Sequence, residues 1–552
     1  MQKERWDGTR LKIKKLNTSE WILTALLLLI LFITIRTNWY VAHHIIDDDA
    51  ASELMLSNLM KQDKSLFPTD WFYSTELILH NQLVYGFFFI ILDGWANVRF
   101  CGTCVIQILY LLSFFYMMSQ SGLNRKAILI GSILILLPYC VSYGRSILFH
   151  CFYVPRLAPG FLLTGLFFSF LKEKKFGTVP YLIRMFLLVI ISFVNSMLYV
   201  RQVIITMLPL LGCLFFFLLS HTEKDKTDYQ RWMLIPVIMT AAGCCGMLCN
   251  SWIMIPSLGL YQQTDQTLKV LPFSQWGAIL EALLMQFGFR TNVKIFSVVG
   301  ILSLGGLLCA VIMIFFSSLD LFRKEIKDFR EYVLRTMLPV GLLINLFIFI
   351  FGEVPFRLRA DYSRYLVPAS VWVIPAICCR ISMPHRLPHI KRVLFFLCLS
   401  FFVLNGVYNE RSFRHAEDFG QPYDGLSYDN PHLADDLQTA VEYIRRHEYD
   451  MGYAFAGEAN TMVELLNGFP IVSLRRTPDA AFEYTNWLSL KSYKTLPAKR
   501  AFFLMRTDDE VFYKDQLTIS GAERVYFDDE GYVIYDISDI PRFREEIREP
   551  LQ

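Results

Sequence analysis

Long apolar runs alternate with short clusters of basic residues along the first 400 positions of the chain. Eleven runs approach the roughly 20 residues that span a bilayer, and Lys and Arg beside a span tend to remain cytoplasmic. A topology that keeps every basic cluster on one side takes the eleven spans as residues 21–35, 101–118, 127–140, 158–171, 180–198, 203–219, 233–253, 296–318, 337–351, 366–379 and 393–407. The sequence therefore predicts an α-helical polytopic membrane protein whose N-terminus is cytoplasmic.

A further apolar stretch, residues 77–92, is predicted not to cross the membrane. Its apolar core, 83–92, is only ten residues long, and counting it as a span would place all later basic clusters outside. We expect residues 75–92 to form a helix along the outer interface of the membrane. The first external loop then covers residues 36–100.

Beyond residue 408 the pattern changes to charged, turn-rich sequence without a span. Strand-like segments alternate with predicted helices at 434–448 and 460–466; the strands are expected at 451–455, 471–474, 501–505, 524–527 and 532–535. Such alternation is typical of a small α/β domain. The chain thus divides into a transmembrane domain, 1–408, and an external domain, 409–552, for which we expect a role as a lid or as a docking module for an acceptor.

Composition supports the membrane assignment and excludes another class of function. Apolar residues make up 54% of the 552 positions and charged residues only 19%, which is less charge than a soluble protein of this length carries. The formal net charge of +3 gives no nucleic-acid signal. All twelve cysteines precede residue 400, so the external domain has no disulfide framework.

Three consecutive carboxylates, Asp47, Asp48 and Asp49, follow the first span, in the first loop that should face outward. Asp49 could simply be the N-cap of a helix over residues 50–62, with the other two acids favourable near the helix dipole. One acid suffices for a cap, however. Mutual repulsion among three neighbours should raise their pKa values or recruit a cation, so we predict a general base or a metal site here.

Other polar side chains of the external loops are candidates for the same site. Spacing of four residues puts Asp49 and Glu53 on one helical face, and Glu76 and His80 on another. Arginine at a membrane boundary is costly unless it is paired or binds an anion. The candidates for a phosphate site are therefore three arginines and one adjacent tyrosine: Arg201, Arg357, Arg364 and Tyr365.

These features, in this order, resemble the integral-membrane C-type (GT-C) glycosyltransferases, which include oligosaccharyltransferases, protein O-mannosyltransferases and aminoarabinose transferases. The resemblance covers nearly the whole chain as architecture and is closest to bacterial members with an external C-terminal domain. The residues that carry it are the segments 46–53, 71–77, 81–85, 364–365 and 452–460. The resemblance implies many spans, acidic residues in the first external loop and a soluble domain at the end.

The resemblance implies a transferase that works at the outer face of the cell membrane, where nucleotide sugars are absent. A polyprenyl-phosphate sugar is then the expected donor, and a glycan, lipid or protein of the cell envelope the acceptor. One of Asp47, Asp48 and Asp49 would deprotonate the acceptor hydroxyl. Arginines, or a divalent cation (Mg²⁺ or Mn²⁺) held by Asp47 and Asp49, would stabilise the departing phosphate.

Two other classes remain open at the level of sequence. A polytopic transporter or lipid flippase would also have many spans and few charges within them, although no internal repeat or pair of broken ion-binding helices stands out. A non-catalytic partner in wall-glycan assembly is the third possibility. Convergence of residues 47–49 with Arg364 in one outward cavity would favour the enzyme.

Overall fold

The computed structural model describes residues 17–74, 77, 79–172, 177–221, 223–258, 270–290, 293–351, 359–382, 389–415, 433–477, 479–528 and 531–550, excepting the side chains of 223–232 and 359–363. The helices up to residue 415 are α1 (Thr18–His44), α2 (Asp48–Asp63), α3 (Leu79–Ile91), α4 (Trp95–Gln120), α5 (Arg125–Leu134), α6 (Val141–Tyr143), α7 (Val154–Phe170), α8 (Val179–Leu198), α9 (Leu208–Ser220), α10 (Glu223–Cys249), α11 (Ile255–Leu258), α12 (Trp276–Met285), α13 (Val298–Asp320), α14 (Phe329–Phe351), α15 (Arg359–Ser370), α16 (Val373–Ser382) and α17 (His389–His415). The chain is therefore mostly helical here, as the hydropathy pattern predicts.

Nine stretches of helix within the described residues are long and apolar enough to cross a membrane, or ten if one bent pair is a single span. The expectation of eleven spans is corrected at two places. The run at 127–140 contains only the 10-residue helix α5 before the chain turns. The run at 158–171 lies in α7, which meets Val141–Phe149 at 84°. The protein is thus a multi-pass membrane protein, with nine or ten candidate spans in the part of the chain that the structure describes.

The stretch at 77–92 forms the 13-residue helix α3, which is too short for a span. It packs against both α2 and α4. Its exposed apolar side chains include Leu83, Phe87 and Ile90. The sequence prediction of a short, non-crossing helix here agrees with the helix that forms.

One end of the bundle is held by buried ion pairs. Arg380 Nη2 lies 2.6 Å from Asp320 Oδ2, and Arg335 Nη2 lies 2.6 Å from Glu331 Oε1; all four side chains are at most 8% exposed. These residues come from the end of α13, the start of α14 and the end of α16. Breaking a buried pair by removing one partner leaves a buried charge uncompensated, typically at a cost of about 3–5 kcal/mol. Arg335 Nη1 also lies 3.7 Å from Asp320 Oδ2, so these pairs link three spans at the end where the basic clusters lie.

The C-terminal region folds around one seven-stranded mixed sheet. The strands are β1 (Met451–Phe455), β2 (Ile471–Arg476), β3 (Phe482–Tyr484), β4 (Ala501–Arg506), β5 (Ala522–Phe527), β6 (Tyr532–Ile537) and β7 (Ile547–Arg548). Their order across the sheet is β5-β6-β4-β1-β2-β3-β7, with β1 parallel to both of its neighbours. The helices are α18 (Leu433–Asp436), α19 (Gln438–Arg446), α20 (Glu458–Leu465), α21 (Thr507–Ile519) and α22 (Ile540–Glu545).

The five strands predicted from sequence all form, and β5 pairs with β6 in the antiparallel direction. The prediction missed β3, β7, α21 and α22. The strands β3 and β7 are only three and two residues long, so they carry too little alternation to be recognised. The α/β character of this region is confirmed.

The sheet region is attached to the bundle through a buried ion pair and backbone hydrogen bonds. Arg99 of α4 donates to both carboxylate oxygens of Glu464 of α20, and both side chains are 1% exposed. Phe72 N donates to Ser489 O at 3.0 Å, and Leu488 N donates to Phe72 O at 3.0 Å. The segment between α2 and α3 and the start of α4 therefore pack directly against the C-terminal region.

Candidate active site

The start of α2 separates the three aspartates. The N-cap is Asp47, whose Oδ1 accepts a hydrogen bond from Ala50 N at 2.8 Å. The alternative in which Asp49 is the cap is therefore wrong: Asp48 and Asp49 already lie in the first turn. Successive helical residues point about 100° apart, as 3.6 residues complete one turn. The three carboxylates consequently meet three different surroundings.

Asp47 lies in a buried cluster that we call the Asp47 centre, formed with Arg145 and His150. Its Oδ2 is 2.9 Å from Arg145 Nη2 and 3.0 Å from His150 Nδ1. Burial acts to raise the pKa of Asp47, but His150, Arg145 and the N–H of Ala50 outweigh it and hold that pKa well below its ordinary value. Both carboxylate oxygens are thus engaged, and the group is a weak base.

Asp48 faces the C-terminal region. The backbone N–H of Gly457, the residue that precedes α20 with a φ of 102°, acts to lower the pKa of the Asp48 carboxyl group. Burial, followed by repulsion from Asp49 and Asp47, raises the pKa of Asp48 to about 8. The repulsion predicted from three neighbouring acids is therefore present at this residue.

Asp49 faces a cavity that also holds arginines. Arg364 Nη1 donates to Asp49 Oδ2 at 2.9 Å, and the Asp49 side chain remains 41% exposed. The cavity measures about 150 Å³, and we call it the Asp49 cavity; it is lined by Asp49, Ser52, Glu53, Ser74, Phe152, Tyr153, Arg156, Arg201, Arg364, Tyr365, Trp487 and Leu488. Residues 315 positions apart in the chain thus meet at one point.

Aromatic rings hold the arginines of this cavity. The guanidinium of Arg201 lies 4.4 Å from the ring centroid of Tyr365, and that of Arg364 lies 5.4 Å from the same ring. Arg156 lies 4.3 Å from the ring of Tyr153 and donates to Phe152 O at 2.9 Å. Cation–π contacts of this kind orient a guanidinium without neutralising it. Three positive charges therefore point at a space of about 150 Å³.

Glu53 lies one turn beyond Asp49 and lines the same cavity while only 3% exposed. The Asn81 side-chain amide donates to its two oxygens at 3.2 and 3.1 Å. Burial raises the pKa of Glu53 to about 8, although Asn81, Arg99 and Arg156 act to lower it. A carboxyl group with this pKa is largely protonated at neutral pH.

His80 lies outside the lining of the Asp49 cavity. Its Nδ1 is 3.1 Å from the hydroxyl of Tyr199, and burial lowers its pKa to about 4. The His80 imidazole is therefore neutral at pH 7 and makes a hydrogen bond with the hydroxyl of Tyr199. The predictions for Glu76 and Arg357 fall outside the residues that the structure describes.

Sequence reasoning missed several contributors to the site. It named neither Arg145 nor Arg156 as a site residue, and it did not connect Arg145 with Asp47. Trp487 and Leu488 reach the cavity from the C-terminal region, where nothing in the local sequence marks them. The signal available for the two arginines was their place at the boundary of a span, where an unpaired charge is costly.

The expected cation site at Asp47 and Asp49 does not fit the geometry. The Asp47 carboxylate is already occupied by an N–H group, a guanidinium and an imidazole, and Asp49 is paired with Arg364. Within the described parts of the chain, no three His, Cys, Asp or Glu side chains are grouped as metal ligands would be. Arg156, Arg201 and Arg364 supply positive charge around this cavity.

No family model and no curated protein sequence matches the chain. Among solved structures, it is similar to an oligosaccharyltransferase of Archaeoglobus fulgidus tethered to an acceptor peptide, with 11% identity over 94% of this chain and 74% of that one and a TM-score of 0.46. It is also similar to ArnT from Cupriavidus metallidurans, with 11% identity over 94% of this chain and 98% of that one and a TM-score of 0.46. Oligosaccharyltransferases are among the proteins named in the resemblance drawn from sequence. The likeness is one of overall architecture.

Proposed function

We propose that the chain is a membrane glycosyltransferase that moves a sugar from a polyprenyl-phosphate donor to an acceptor at the outer face of the cell membrane. The observation that carries the proposal is the Asp49 cavity, where a half-exposed carboxylate lies 2.9 Å from Arg364 and beside Arg156 and Arg201. Sugar transfer from a phosphate needs both a base for the acceptor and positive charge for the leaving group.

Asp49 is the general base in this proposal. Asp47 has both oxygens engaged and a depressed pKa, and Asp48 faces Gly457 of the C-terminal region. Asp49 is the member of the triplet that lines the cavity. Its carboxylate takes the proton of the acceptor hydroxyl while that oxygen bonds to the anomeric carbon. The bond from the anomeric carbon to the phosphate oxygen breaks, and the electron pair leaves with the phosphate.

Arg364 and Arg201 bind the phosphate. Both stack on Tyr365, and a guanidinium matches the geometry of a phosphate better than an ammonium does. Arg364 also donates a hydrogen bond to Asp49, so in the proposed reaction the phosphate and the Asp49 carboxylate share this guanidinium.

Glu53 has a different task from Asp49. Its raised pKa keeps it protonated at neutral pH, so it donates a hydrogen bond into the cavity instead of accepting a proton. The two carboxyl groups are thus separated in function by burial, since Asp49 is 41% exposed and Glu53 is 3% exposed.

The choice of a lipid-phosphate donor depends on the side of the membrane that the cavity faces, because nucleotide sugars are absent at the outer face. The residues of the cavity lie at one end of the spans. The buried pair of Asp320 and Arg380 and the basic clusters lie at the opposite end, and such clusters tend to remain cytoplasmic. We infer that the cavity and the C-terminus are external.

A reporter that is active only outside the cytoplasm should be active when it is fused after Gln552. Activity of a cytoplasm-only reporter at this position would reverse the topology.

The direct test uses the full-length protein in lipid nanodiscs with a panel of radiolabelled polyprenyl-phosphate hexoses and pentoses. We expect release of polyprenyl phosphate from at least one donor by the wild-type protein and by Asp93→Asn, an exposed loop acid remote from the cavity. The release should be lost in Asp49→Asn. Equal release by Asp49→Asn and Asp93→Asn would remove the base from this cavity.

A further inference from the structure

A second and larger cavity lies farther along α2. It measures about 380 Å³ and is lined by Met55, Asn58, Leu59, Gln62, Asp63, Asp70, Trp95, Gly468, Pro470, Leu490, Ser492, Tyr493 and Leu496. We call it the Asn58 cavity. Its volume falls in the range of about 300–1,000 Å³ that is usual for small-molecule sites. Nothing in the chemistry proposed for Asp49 uses it.

The same three elements line both cavities. Helix α2 contributes its first turns to the Asp49 cavity and its last turns to the Asn58 cavity. The loop after α2 contributes Ser74 to the first and Asp70 to the second, and the C-terminal region contributes Leu488 and Leu490 respectively. Nine residues separate Asp49 from Asn58, which is about 14 Å along a helix. The two cavities are therefore successive sites along one seam.

The polar lining of the Asn58 cavity has unused hydrogen-bonding capacity. Asn58 and Gln62 are one helical turn apart, and neither side-chain amide bonds to another residue within the described part of the chain. Each amide offers two donors and an acceptor. The Asp70 carboxylate accepts from Ser492 N at 2.7 Å, which fixes the opposite wall. Such a lining suits a ligand with many hydroxyl groups.

The remaining lining decides the charge and shape of the ligand. Trp95 and Tyr493 supply flat apolar walls, of the kind that cover the C–H face of a sugar ring. The Trp95 wall depends on Gly468, because a Cβ there would come within 2.9 Å of the indole ring and its φ is 92°. The charged residues of the lining are the acids Asp63 and Asp70. An anionic ligand is therefore disfavoured.

We propose that the Asn58 cavity binds the neutral, hydroxyl-rich body of a carbohydrate acceptor whose reacting hydroxyl reaches the Asp49 cavity. This inference rests on the proposed glycosyltransferase function, and it narrows the acceptor from a glycan, lipid or protein to an oligosaccharide. The seam between α2 and the C-terminal region positions the acceptor, which explains why that region is fixed to the bundle by a buried ion pair.

The test measures binding separately from transfer. Full-length protein in nanodiscs is titrated with neutral tetrasaccharides of glucose, mannose, galactose and N-acetylglucosamine, with a tetrasaccharide of uronic acids and with a neutral Ser/Asn/Gly peptide, by saturation-transfer NMR. We expect a neutral tetrasaccharide to bind. The double variant Asn58→Ala/Gln62→Ala should raise its Kd at least tenfold, and Asn58→Trp should fill the cavity and abolish binding. Gln516→Ala on α21, away from the cavity, is the matched control.

Two results would overturn the proposal: equal affinity of the double variant and Gln516→Ala for the sugar, or preference for the uronic acid sugar or the peptide. Retained binding of undecaprenyl phosphate by Asn58→Trp checks that this variant folds. If Asn58→Trp loses sugar binding but the wild type turns over no donor, the proposed transferase function is refuted and the saccharide site remains. Donor turnover without any binding of neutral sugar would refute the saccharide site and leave the transferase.

Discussion

Asp47 and Asp49 are two residues apart, yet they occupy opposite kinds of environment. The Asp47 centre is closed: the carboxylate is 4% exposed and both oxygens have partners. Asp49 is open to a cavity and has one guanidinium beside it. Burial with full pairing makes the first carboxylate structural, and partial exposure leaves the second able to react.

The contrast shows how a run of identical residues can divide its tasks. The electrostatic cost of holding three acids together is reduced because each faces a different partner: Arg145 and His150, Gly457, and Arg364. Asp47 caps α2 through its bond to Ala50 N, and Asp49, in the first turn, lines the cavity. A change at Asp47 should therefore disturb the fold, and a change at Asp49 should disturb the chemistry.

The largest expected effect is on transfer in Asp49→Asn. Loss of a general base typically lowers a rate on the order of 10²- to 10⁴-fold, and the amide is close in size to the carboxylate. The thermal unfolding midpoint should stay near that of the wild type, because an exposed ion pair is worth only about 0–1 kcal/mol. Transfer rates with a labelled donor measure the loss of activity, and unfolding curves measure the stability, both in detergent. If Asp49→Asn destabilised the protein as much as an Asp47 variant does, the contrast between Asp47 and Asp49 would be wrong.

Asp47→Ala should mainly reduce stability. The substitution removes the N-cap and leaves Arg145 and the buried His150 without their shared carboxylate, a cost of about 3 kcal/mol or more. Asp47→Asn keeps a capping side chain and should lose less. Chemical unfolding of the two variants side by side measures the difference. Wild-type stability in Asp47→Ala would show that the Asp47 centre contributes little to the fold.

Arg364 provides a smaller effect that separates donor binding from base chemistry. Arg364→Ala should weaken binding of undecaprenyl phosphate about tenfold, since a charge-assisted contact of about 1.4 kcal/mol is a factor of ten. Arg364→Lys should weaken it less, because the charge remains but the fork geometry is lost. Binding to each purified variant is the measurement. Unchanged affinity in Arg364→Ala would move the phosphate toward Arg201.

The last effect concerns the pH dependence of stability. Burial raises the pKa of Glu53 from its ordinary 4.5 to about 8, so the folded protein binds this proton more tightly than the unfolded chain. The stability contributed is present at low pH and lost as pH rises from about 4.5 to 8, by at most about 1.4 kcal/mol per pH unit for one proton.

Glu53→Gln should therefore flatten the decline in unfolding midpoint between pH 5 and pH 8. The raised pKa of Asp48 acts with the same sign, so a residual slope should remain in this variant and become smaller in the double variant with Asp48→Asn. Exposed Asp93→Asn serves as the control, and it should keep the full slope. A wild-type midpoint that rises across this pH range would contradict the raised pKa values.

The sequence by itself determined the membrane class, most of the spans, the short helix before residue 92 and the five main strands. Apolar runs of this length have few alternatives in a bilayer, where every backbone polar group must be bonded within the segment. Alternation of strands and helices likewise fixes the α/β character beyond residue 409. The sequence also identified Asp49, Glu53, Arg201, Arg364 and Tyr365 as candidates, each through a charged or polar group near a membrane boundary.

Only the tertiary structure decided which of these residues meet and what each carboxylate faces. The pairing of Asp49 with Arg364 joins segments 315 positions apart, and no local pattern carries such a contact. The reversal at residues 135–140, which shortens one expected span, depends on packing of α5 against α1 and α16 rather than on hydropathy. The environment of a buried carboxylate is set by everything packed around it, and for Asp47 and Asp49 that environment differs although their sequence neighbourhood is shared.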